Sequence, residues 1–381
     1  MSDLKIGVIG SGGRGWLANN AHKPGEGSRI VACCDIKEDV LKRNRDKYGE
    51  SIFTTNNAEK LLEKNLDAVM ICAPDHYHEE YALMAINAGI PIFLEKPMAI
   101  TTEGCDRILL SAKEKNVRVF VGHNMRYMTI IQKMKALIDD GAIGEVRGIW
   151  CRHFISYGGD AYFRDWHSES KNTTSMLLQK GAHDIDVMHW LTGANSKRVS
   201  AFGNLSVYNR CDRREESTPG NAGFNVDHWP PLEQKGFSPK MDIEDQTNVI
   251  MEMENGVLGT YLQCHFTPDS CRNYTVIGTE GRLENMGDGP ESPIFLWNKR
   301  NNSFKMLGDE IHYPEKAPKG GHGGADTGIV PEFLSYIRGD IDEPKATSIA
   351  ARMSVATGCM ATKSLRNGGK PYDIPPLPEG I

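Results

Sequence analysis

Residues 4–15 read LKIGVIGSGGRG, a short apolar run that leads directly into a glycine-rich turn. The turn has the pattern G-x-G-x-x-G, with its glycines at Gly10, Gly12 and Gly15. Gly10 permits a sharp turn out of a strand, and Gly12 lets the backbone approach a pyrophosphate because it has no Cβ. Gly15 lets the following helix pack closely, and the N-terminus of that helix offers free N–H groups to phosphate. The stretch therefore predicts a strand–turn–helix unit that binds a dinucleotide.

A second apolar run, residues 30–34, ends in Asp35, which lies twenty residues after Gly15. An acid at this distance accepts hydrogen bonds from the adenosine ribose hydroxyls, and its charge repels a 2′-phosphate. We therefore predict NAD rather than NADP as the cofactor, with Gly13 and Arg14 as further contacts. An isolated glycine triplet is also compatible with an ordinary β-turn, but the preceding strand and the following acid favour the cofactor.

The composition of the 381-residue chain is typical of a soluble protein with two domains, because one ordinary core does not extend to this length. The net charge is −6, so we expect no basic surface for nucleic acid. No apolar run approaches the length of a membrane helix, and the early first strand predicts no signal peptide. Nine cysteines without a C-x-x-C pair indicate reduced thiols in a cytoplasmic protein and no metal site.

Strand and helix patterns alternate through the first part of the chain, which predicts a parallel sheet with helices on both faces. This is an α/β fold, a doubly wound Rossmann domain over residues 1–123. From residue 124 onward, alternating runs predict a second α/β domain over 124–381 with a largely antiparallel sheet. A helix is predicted over 176–191, and the stretches 209–243 and 308–325 are predicted loops.

Two segments follow strands of the first domain and are expected to line a cofactor crevice at the carboxyl ends of those strands. The alternative is that the prolines in these segments only terminate the strands. The predicted cofactor contacts are Ala73, Pro74 and His78 after one strand, and Glu95 and Lys96 after another.

The glycine-rich turn, the Ala73-Pro74 segment and the Glu95-Lys96-Pro97 segment together resemble the glucose-fructose oxidoreductase/inositol dehydrogenase (Gfo/Idh/MocA) family. Residues 121–127 resemble its junction between domains, and residues 183–191 resemble its catalytic-domain helix. The resemblance implies a C-terminal α+β domain for substrate binding and oligomerisation, with an open, mostly antiparallel sheet. It also implies homodimers or homotetramers, a cofactor contact at Asn124 and a substrate contact at Arg126.

Most members of that family are NAD(P)-dependent dehydrogenases of sugars or cyclitols, and a minority are glycosidases that use NAD without net turnover. The family's lysine maps onto Lys96, and its histidine maps onto His183. Oxidation of a secondary alcohol needs a group that takes the hydroxyl proton while hydride leaves the same carbon. NAD⁺ beside Lys96 would favour its neutral amine, and His183 would bond the substrate hydroxyl or relay its proton.

One position departs from the family pattern, because Gln179 stands where an acidic residue is expected one helical turn before the histidine. Their spacing on the predicted helix places Gln179, His183 and Asp186 on one face. Glutamine can orient a hydroxyl but cannot accept a proton at neutral pH. Lys180 is a further candidate substrate contact, and support of His183 by Asp186 is the other possibility.

Further candidates for a sugar pocket are aromatic residues near polar groups, Tyr157 and Trp166, although such residues are equally compatible with a core or a rim. Residues 320–326 (GGHGGAD) are similar to a segment of several family members. Their glycines either allow close approach to a ligand or belong to a flexible loop before a helix capped by Asp326 or Thr327.

The leading functional hypothesis is an NAD-dependent dehydrogenase of a sugar or cyclitol hydroxyl. An NAD-retaining glycosidase or lyase that oxidises its sugar transiently is the alternative that Gln179 motivates. A non-enzymatic sensor of sugar or NAD is a third hypothesis, against which Lys96 and His183 count. The sequence does not identify the sugar.

Overall fold

The computed structural model describes residues 2–220 and 223–381, which form two compact units. The first unit contains the described residues up to Tyr127, together with Pro318–Val355 and Pro376–Ile381. The second unit contains Met128–Ala317 and Ala356–Pro375. These packing units are not the same ranges as the predicted domains, because two late segments return to the first unit. The functional boundary at residue 123 stays a prediction.

A parallel six-stranded sheet forms the centre of the first unit, and its strand order is β3-β2-β1-β4-β5-β6. The order reverses between β1 and β4, which is where α/β sheets bind ligands at the carboxyl ends of their strands. The predicted doubly wound α/β sheet is confirmed. Its strands are Leu4–Ile9 (β1), Ser28–Cys34 (β2), Phe53–Thr55 (β3), Ala68–Ile71 (β4), Ile92–Leu94 (β5) and Val119–Val121 (β6).

An open nine-stranded sheet forms the second unit, in the order β14-β13-β12-β11-β7-β10-β9-β8-β15. The pair β7–β10 is parallel and the other pairs are antiparallel, so the mostly antiparallel sheet is also confirmed. Its strands are Val146–Phe154 (β7), Ser196–Asn204 (β8), Gln246–Met253 (β9), Leu258–Cys264 (β10), Cys271–Gly278 (β11), Arg282–Asn285 (β12), Ile294–Trp297 (β13), Glu310–His312 (β14) and Tyr372–Asp373 (β15).

The α-helices vary from one turn to five turns, and two of them replace the single helix predicted over 176–191. They are Glu38–Tyr48 (α1), Ala58–Leu62 (α2), His78–Asn87 (α3), Thr102–Lys115 (α4), Thr129–Asp139 (α5), Gly158–Tyr162 (α6), Ser170–Thr173 (α7), Met176–Gln179 (α8), Gly181–Thr192 (α9), Asp326–Arg338 (α10) and Ser348–Leu365 (α11). None of the helices in the described part of the chain has the length and hydropathy needed to span a bilayer.

Two helical segments differ from the sequence-based expectation. The segment after the glycine turn, Gly13–Ala21, is a 3₁₀ helix rather than an α-helix. Its glycines and asparagines have low helix propensity, which explains the less regular winding. The predicted helix 176–191 is interrupted at Lys180, where Gly181 begins α9. A Cβ at Gly181 would lie 3.2 Å from the Tyr261 ring, so close packing explains the glycine that weakens the helix here.

The core of the first unit includes an aromatic cluster of Phe93, Phe120 and Phe333, all of them fully buried. Phe93 stacks on Phe120 at 5.5 Å between ring centroids, and Phe333 packs its edge on both rings at 5.5 and 5.8 Å. Because Phe333 belongs to α10, a helix from late in the chain completes the core beneath β5 and β6.

Candidate active site

The glycine-rich turn after β1 is tightly packed on one side and open on the other. Gly10 has a φ of +76°, and a Cβ there would lie 2.5 Å from the backbone nitrogen of Ala73. Gly13 also has positive φ, and no atom lies within 4 Å of the position of its Cβ. A backbone cradle with an open side fits the pyrophosphate of a dinucleotide. Gly12 completes the turn, with its N–H donating to Asp35 Oδ2 at 2.9 Å.

Asp35 lies at the carboxyl end of β2, as the sequence predicted. Its other oxygen accepts the N–H of Lys37 at 3.0 Å, so both carboxylate oxygens are fixed by backbone donors. Each oxygen keeps acceptor capacity, because a carboxylate offers about four lone-pair sites. The arrangement fits the ribose of NAD, and a 2′-phosphate would meet the negative charge.

Arg14 joins three distant parts of the first unit. Its Nε donates to Glu95 Oε1 at 2.7 Å, and its two Nη atoms donate to the Asp326 carboxylate at 2.6 and 2.9 Å. Asp326 also accepts from Asn124 Nδ2 at 2.9 Å and lies 2.9 Å from His322 Nδ1. Burial alone would raise the pKa of Asp326, but the hydrogen bonds from Arg14 and His322 hold that pKa well below its usual range.

The Gly320–Asp326 loop is therefore packed at the glycine turn. Helix α10 begins at Asp326, but the Asp326 side chain bonds Arg14 and does not cap the helix. Thr327 Oγ1 donates to the carbonyl of Gly324, also outside the capping pattern. The alternative of a cap by the Asp326 side chain is excluded, because this carboxylate has a stronger, charged partner in Arg14. A Cβ at Gly321 would lie 3.4 Å from Trp16, next to the turn.

The two strand-end segments of the crevice are connected by His78. This buried side chain lies with Nε2 2.8 Å from the carbonyl oxygen of Ala73 and Nδ1 2.6 Å from that of Pro97. Both partners are acceptors, so a neutral ring can donate to only one of them at a time. These contacts give His78 a bracing position, and its predicted contact with cofactor stays a prediction, as does that of Pro74.

Lys96 is half-buried and directly follows Glu95, whose Oε2 accepts the Lys96 backbone N–H at 3.1 Å. Glu95 itself is buried and bonds Arg14 of the glycine turn, and its predicted contact with cofactor stays a prediction. Arg126 is buried in the first unit, where its Nη1 donates to the carbonyl of Lys345 at 2.6 Å. Its contact with substrate remains a prediction.

In the second unit, His183 and Asp186 lie on α9, and both are almost fully buried. Gln179 is also buried, but it ends the separate helix α8. The sequence predicted that Gln179 and His183 share one face of a single helix. The interruption at Lys180 shows that this prediction was wrong, because the two residues lie on separate helices. Trp166 lies in a 3₁₀ turn and stacks on His167 at 3.7 Å between ring centroids.

A buried ionic cluster surrounds Asp184 and was not predicted from the sequence. This carboxylate accepts from Tyr261 at 2.8 Å and from Tyr274, and it lies 2.7 Å from His153 Nδ1 and 2.8 Å from Arg272 Nε. Burial alone would raise the pKa of Asp184, but Arg272 and His153 hold it well below its usual range. Burial, reinforced by Arg272, lowers the pKa of His153 to about 4.

The cluster anchors α9 to β7, β10 and β11, so it fixes the helix that carries His183. The only local signal for it was the acid that follows His183 in the sequence. Its partners come from three strands whose neighbourhood the sequence pattern does not reveal.

Lys180, at the junction of α8 and α9, lies between two phenols. Its Nζ is 5.6 Å from the ring centroid of Tyr157 and 5.7 Å from that of Tyr162. Burial favours the neutral amine, but Tyr162 and Tyr157 hold the pKa of Lys180 above its usual value. Lys180 in turn lowers the pKa of Tyr157.

Two family models match most of the chain. Residues 4–123 match the model described as the oxidoreductase family, NAD-binding Rossmann fold, and residues 131–284 match the GFO/IDH/MocA C-terminal domain. Inositol 2-dehydrogenase of Salmonella typhimurium is 32% identical over 200 residues, which cover 52% of this chain and 55% of that protein. The corresponding enzyme of Pseudomonas syringae is 35% identical over 49% of this chain and 54% of that protein. The matched segment thus spans about half the length of these relatives.

Solved structures agree over nearly the whole fold. A levoglucosan dehydrogenase in complex with NADH and levoglucosan aligns with a TM-score of 0.80 over 98% of this chain and 100% of its own, at 18% identity. Myo-inositol 2-dehydrogenase of Lactobacillus plantarum aligns with a TM-score of 0.71 over 98% and 100% of the chains, at 19% identity. At such identities, these matches establish the fold.

Proposed function

Because the chain belongs to the GFO/IDH/MocA family of oxidoreductases, we propose that it transfers hydride between a secondary hydroxyl of a sugar or cyclitol and NAD. The observation that carries this proposal is the backbone cradle at Gly10–Gly13, which packs on Ala73 and hydrogen-bonds the carboxylate of Asp35. The Rossmann sheet and the match of residues 4–123 to an NAD-binding family support NAD as the cofactor.

Bound NAD supplies the hydride acceptor, so the chain must hold the alcohol and take its proton. We assign the proton acceptor to Lys96, which follows a strand of the cofactor-binding sheet. His183 is the proposed hydrogen-bonding partner of the substrate hydroxyl. Gln179 is proposed to orient a hydroxyl without exchanging a proton, because its amide does not titrate. The geometry of Asp35 favours NAD over NADP.

An NAD-retaining glycosidase or lyase is not favoured by the comparisons, since the relatives named above are dehydrogenases. The levoglucosan and myo-inositol dehydrogenase structures share the fold and thus support sugars and cyclitols as the substrate class. A purely sensory role has no comparable support.

The test is NADH absorbance with excess NAD and a panel of myo-inositol, D-glucose, levoglucosan and an aryl glycoside. We expect steady NADH formation with at least one of the first three. Lys96→Met should abolish turnover and leave NAD binding intact, whereas Lys115→Met, a surface lysine of the same unit, should match the wild-type protein. Full turnover by Lys96→Met would contradict the assignment, and aryl release without NADH would restore the glycosidase.

We also propose that the chain forms a homodimer or homotetramer through the outer face of the nine-stranded sheet. Trp150, Ile250 and Leu258 lie on this face, and the last two are 62% and 63% exposed. Trp150 and Ile250 both pair with Thr260, so their side chains form one row across three strands. Exposed apolar patches of this kind mark association surfaces. Light scattering on Ile250→Glu should show a smaller assembly than wild type.

A cytoplasmic location stays a prediction.

A further inference from the structure

A cavity of about 370 Å³ lies in the second unit, and its lining includes Tyr157, which the sequence offered as a candidate for a sugar pocket. Its walls include the ring of Tyr157, the exposed ring of Phe224 and the hydroxyls of Ser156 and Ser270. The two serine Oγ atoms are hydrogen-bonded at 2.8 Å. An apolar platform beside several hydroxyls is the arrangement expected around a sugar ring, which has apolar faces and a polar edge.

The cavity wall contains one further ionisable group, and this group is neutralised internally. Asp160 accepts from Arg164 Nε at 3.0 Å and from the backbone N–H of Asn225 at 3.1 Å, and it lies 2.6 Å from His228 Nδ1. Among the described lining residues, none is a cation. An anionic ligand would therefore meet oxygen atoms without a compensating charge in the wall.

Tyr157 differs from the serines because a buried cation lies behind it. The Lys180 ammonium, 5.6 Å from the centre of the ring, lowers the pKa of Tyr157 through its charge, an effect that Arg272 reinforces. A phenol with a lowered pKa gives up its proton more readily, and the phenolate accepts hydrogen bonds more strongly than a neutral phenol. The buried ring of His265, 5.5 Å from that of Tyr162, lacks a hydrogen-bond partner within the described residues, so polar groups beside this part of the unit are not all paired.

We propose that Tyr157, positioned by Lys180, is a specificity-determining residue that accepts a hydrogen bond from a hydroxyl of the substrate and selects neutral polyols over sugar acids. This inference rests on the proposed function, because it places part of the dehydrogenase substrate in the cavity. Lys180 acts through Tyr157 and is a positioning residue.

The first experiment measures kcat/KM with NAD for myo-inositol, D-glucose, levoglucosan and D-glucuronate. We expect kcat/KM for the best neutral compound to exceed that for D-glucuronate by at least about tenfold. The reason is that the carboxylate of D-glucuronate would lose more than one hydrogen bond to water without finding a cation in the wall. Tyr157→Phe should raise KM for that compound by about 10- to 100-fold, the range of a hydrogen bond to a charged group, with a smaller change in kcat. Tyr313→Phe is the matched control, because Tyr313 is an exposed tyrosine of the same unit and is not among the described lining residues.

A pH profile separates positioning from simple structural support. The charged and titratable groups that face Tyr157 are Lys180, Tyr162, Arg272, Asp288 and Asp160. In the wild-type protein, KM should fall as pH rises through the pKa of Tyr157, because the phenolate is the better acceptor. In Lys180→Met, this transition should move to higher pH. A variant that merely disturbed packing would raise KM without moving the transition.

The outcomes are distinct for the two proposals. Absence of NADH with every compound overturns the proposed function and this inference with it. NADH formation with a preference for D-glucuronate, or with unchanged KM in both Tyr157→Phe and Lys180→Met, overturns the inference alone. Unfolding curves and NAD binding of each variant confirm that the comparison concerns folded protein.

Discussion

The buried carboxylate of Asp184 gives the sharpest prediction for stability. In Asp184→Asn, the shape of the side chain is kept and the charge is removed. Among the described residues, Arg272 then retains Asp288, at 3.0 Å, as its one carboxylate partner, and Asp288 is partly exposed to solvent. The donors from Tyr261, Tyr274 and His153 lose a charged acceptor as well.

Removal of one partner from a buried ion pair costs about 3–5 kcal/mol. Since Asp288 still compensates part of the Arg272 charge, we take the lower end, about 3 kcal/mol. For a unit of this size, that loss corresponds to a decrease in melting temperature of roughly 6–12 °C. Urea unfolding at pH 7, followed by circular dichroism, measures the free energy of unfolding directly.

The matched control is Glu252→Gln on the same sheet. Glu252 contacts Lys197 at 3.4 Å, and both side chains are well exposed. Exposed pairs contribute at most about 1 kcal/mol, so the control should be nearly as stable as the wild-type protein. If Asp184→Asn lost no more stability than Glu252→Gln, the Asp184 cluster would not anchor α9 and the reasoning would be refuted.

Three further predictions concern pH, cofactor choice and the turn. The pKa of His153 is lowered to about 4 in the folded protein, so its stabilising contribution is complete above the unfolded pKa of about 6.5 and is lost as pH falls toward 4. In urea unfolding, the free-energy advantage of the wild-type protein over His153→Gln should therefore shrink by roughly 3 kcal/mol between pH 7 and pH 4. A difference that stays constant with pH would contradict this prediction. Asp35→Ser should raise the ratio of kcat/KM for NADP to that for NAD at least about tenfold, measured with both cofactors, because one charge repulsion is removed. Gly10→Ala should destabilise the protein by at least about 2 kcal/mol and abolish NAD binding, since a Cβ meets the backbone of Ala73. Gly13 also has a positive φ, +33° against +76° at Gly10, but its Cβ would meet open space, so an equal loss of stability in Gly13→Ala would refute the packing argument.

The cofactor-binding half could be predicted because its signals are local. The turn at Gly10, the acid at Asp35 and the segment at Glu95 each follow a strand, and the parallel sheet gathers such strand ends at one edge. The role of Asp326 could not be derived in this way. It follows Arg14 by most of the length of the chain, and no periodic pattern connects a glycine turn with a loop that far away.

The second unit was harder to predict for a similar reason. The contacts among Asp184, Arg272 and Tyr274 form only after β7, β10 and β11 assemble. The register between those strands cannot be derived from a single sequence. The break at Lys180 was missed because residues 176–191 keep a helical pattern of apolar side chains. Only the packing of Tyr261 against Gly181 reveals why the helix starts again there.

The return of α10 to the first unit has a consequence for how the chain is made. Phe93 and Phe120 leave the ribosome long before Phe333, the residue that packs its edge on both rings. At ordinary elongation rates, the delay is on the order of ten seconds or more. During that time the nascent nucleotide-binding sheet presents an uncovered aromatic surface, which is a target for chaperones. A gene fragment cut at the apparent end of the Rossmann sequence would leave that surface uncovered permanently, so expression of this half alone requires the late helix to be grafted back.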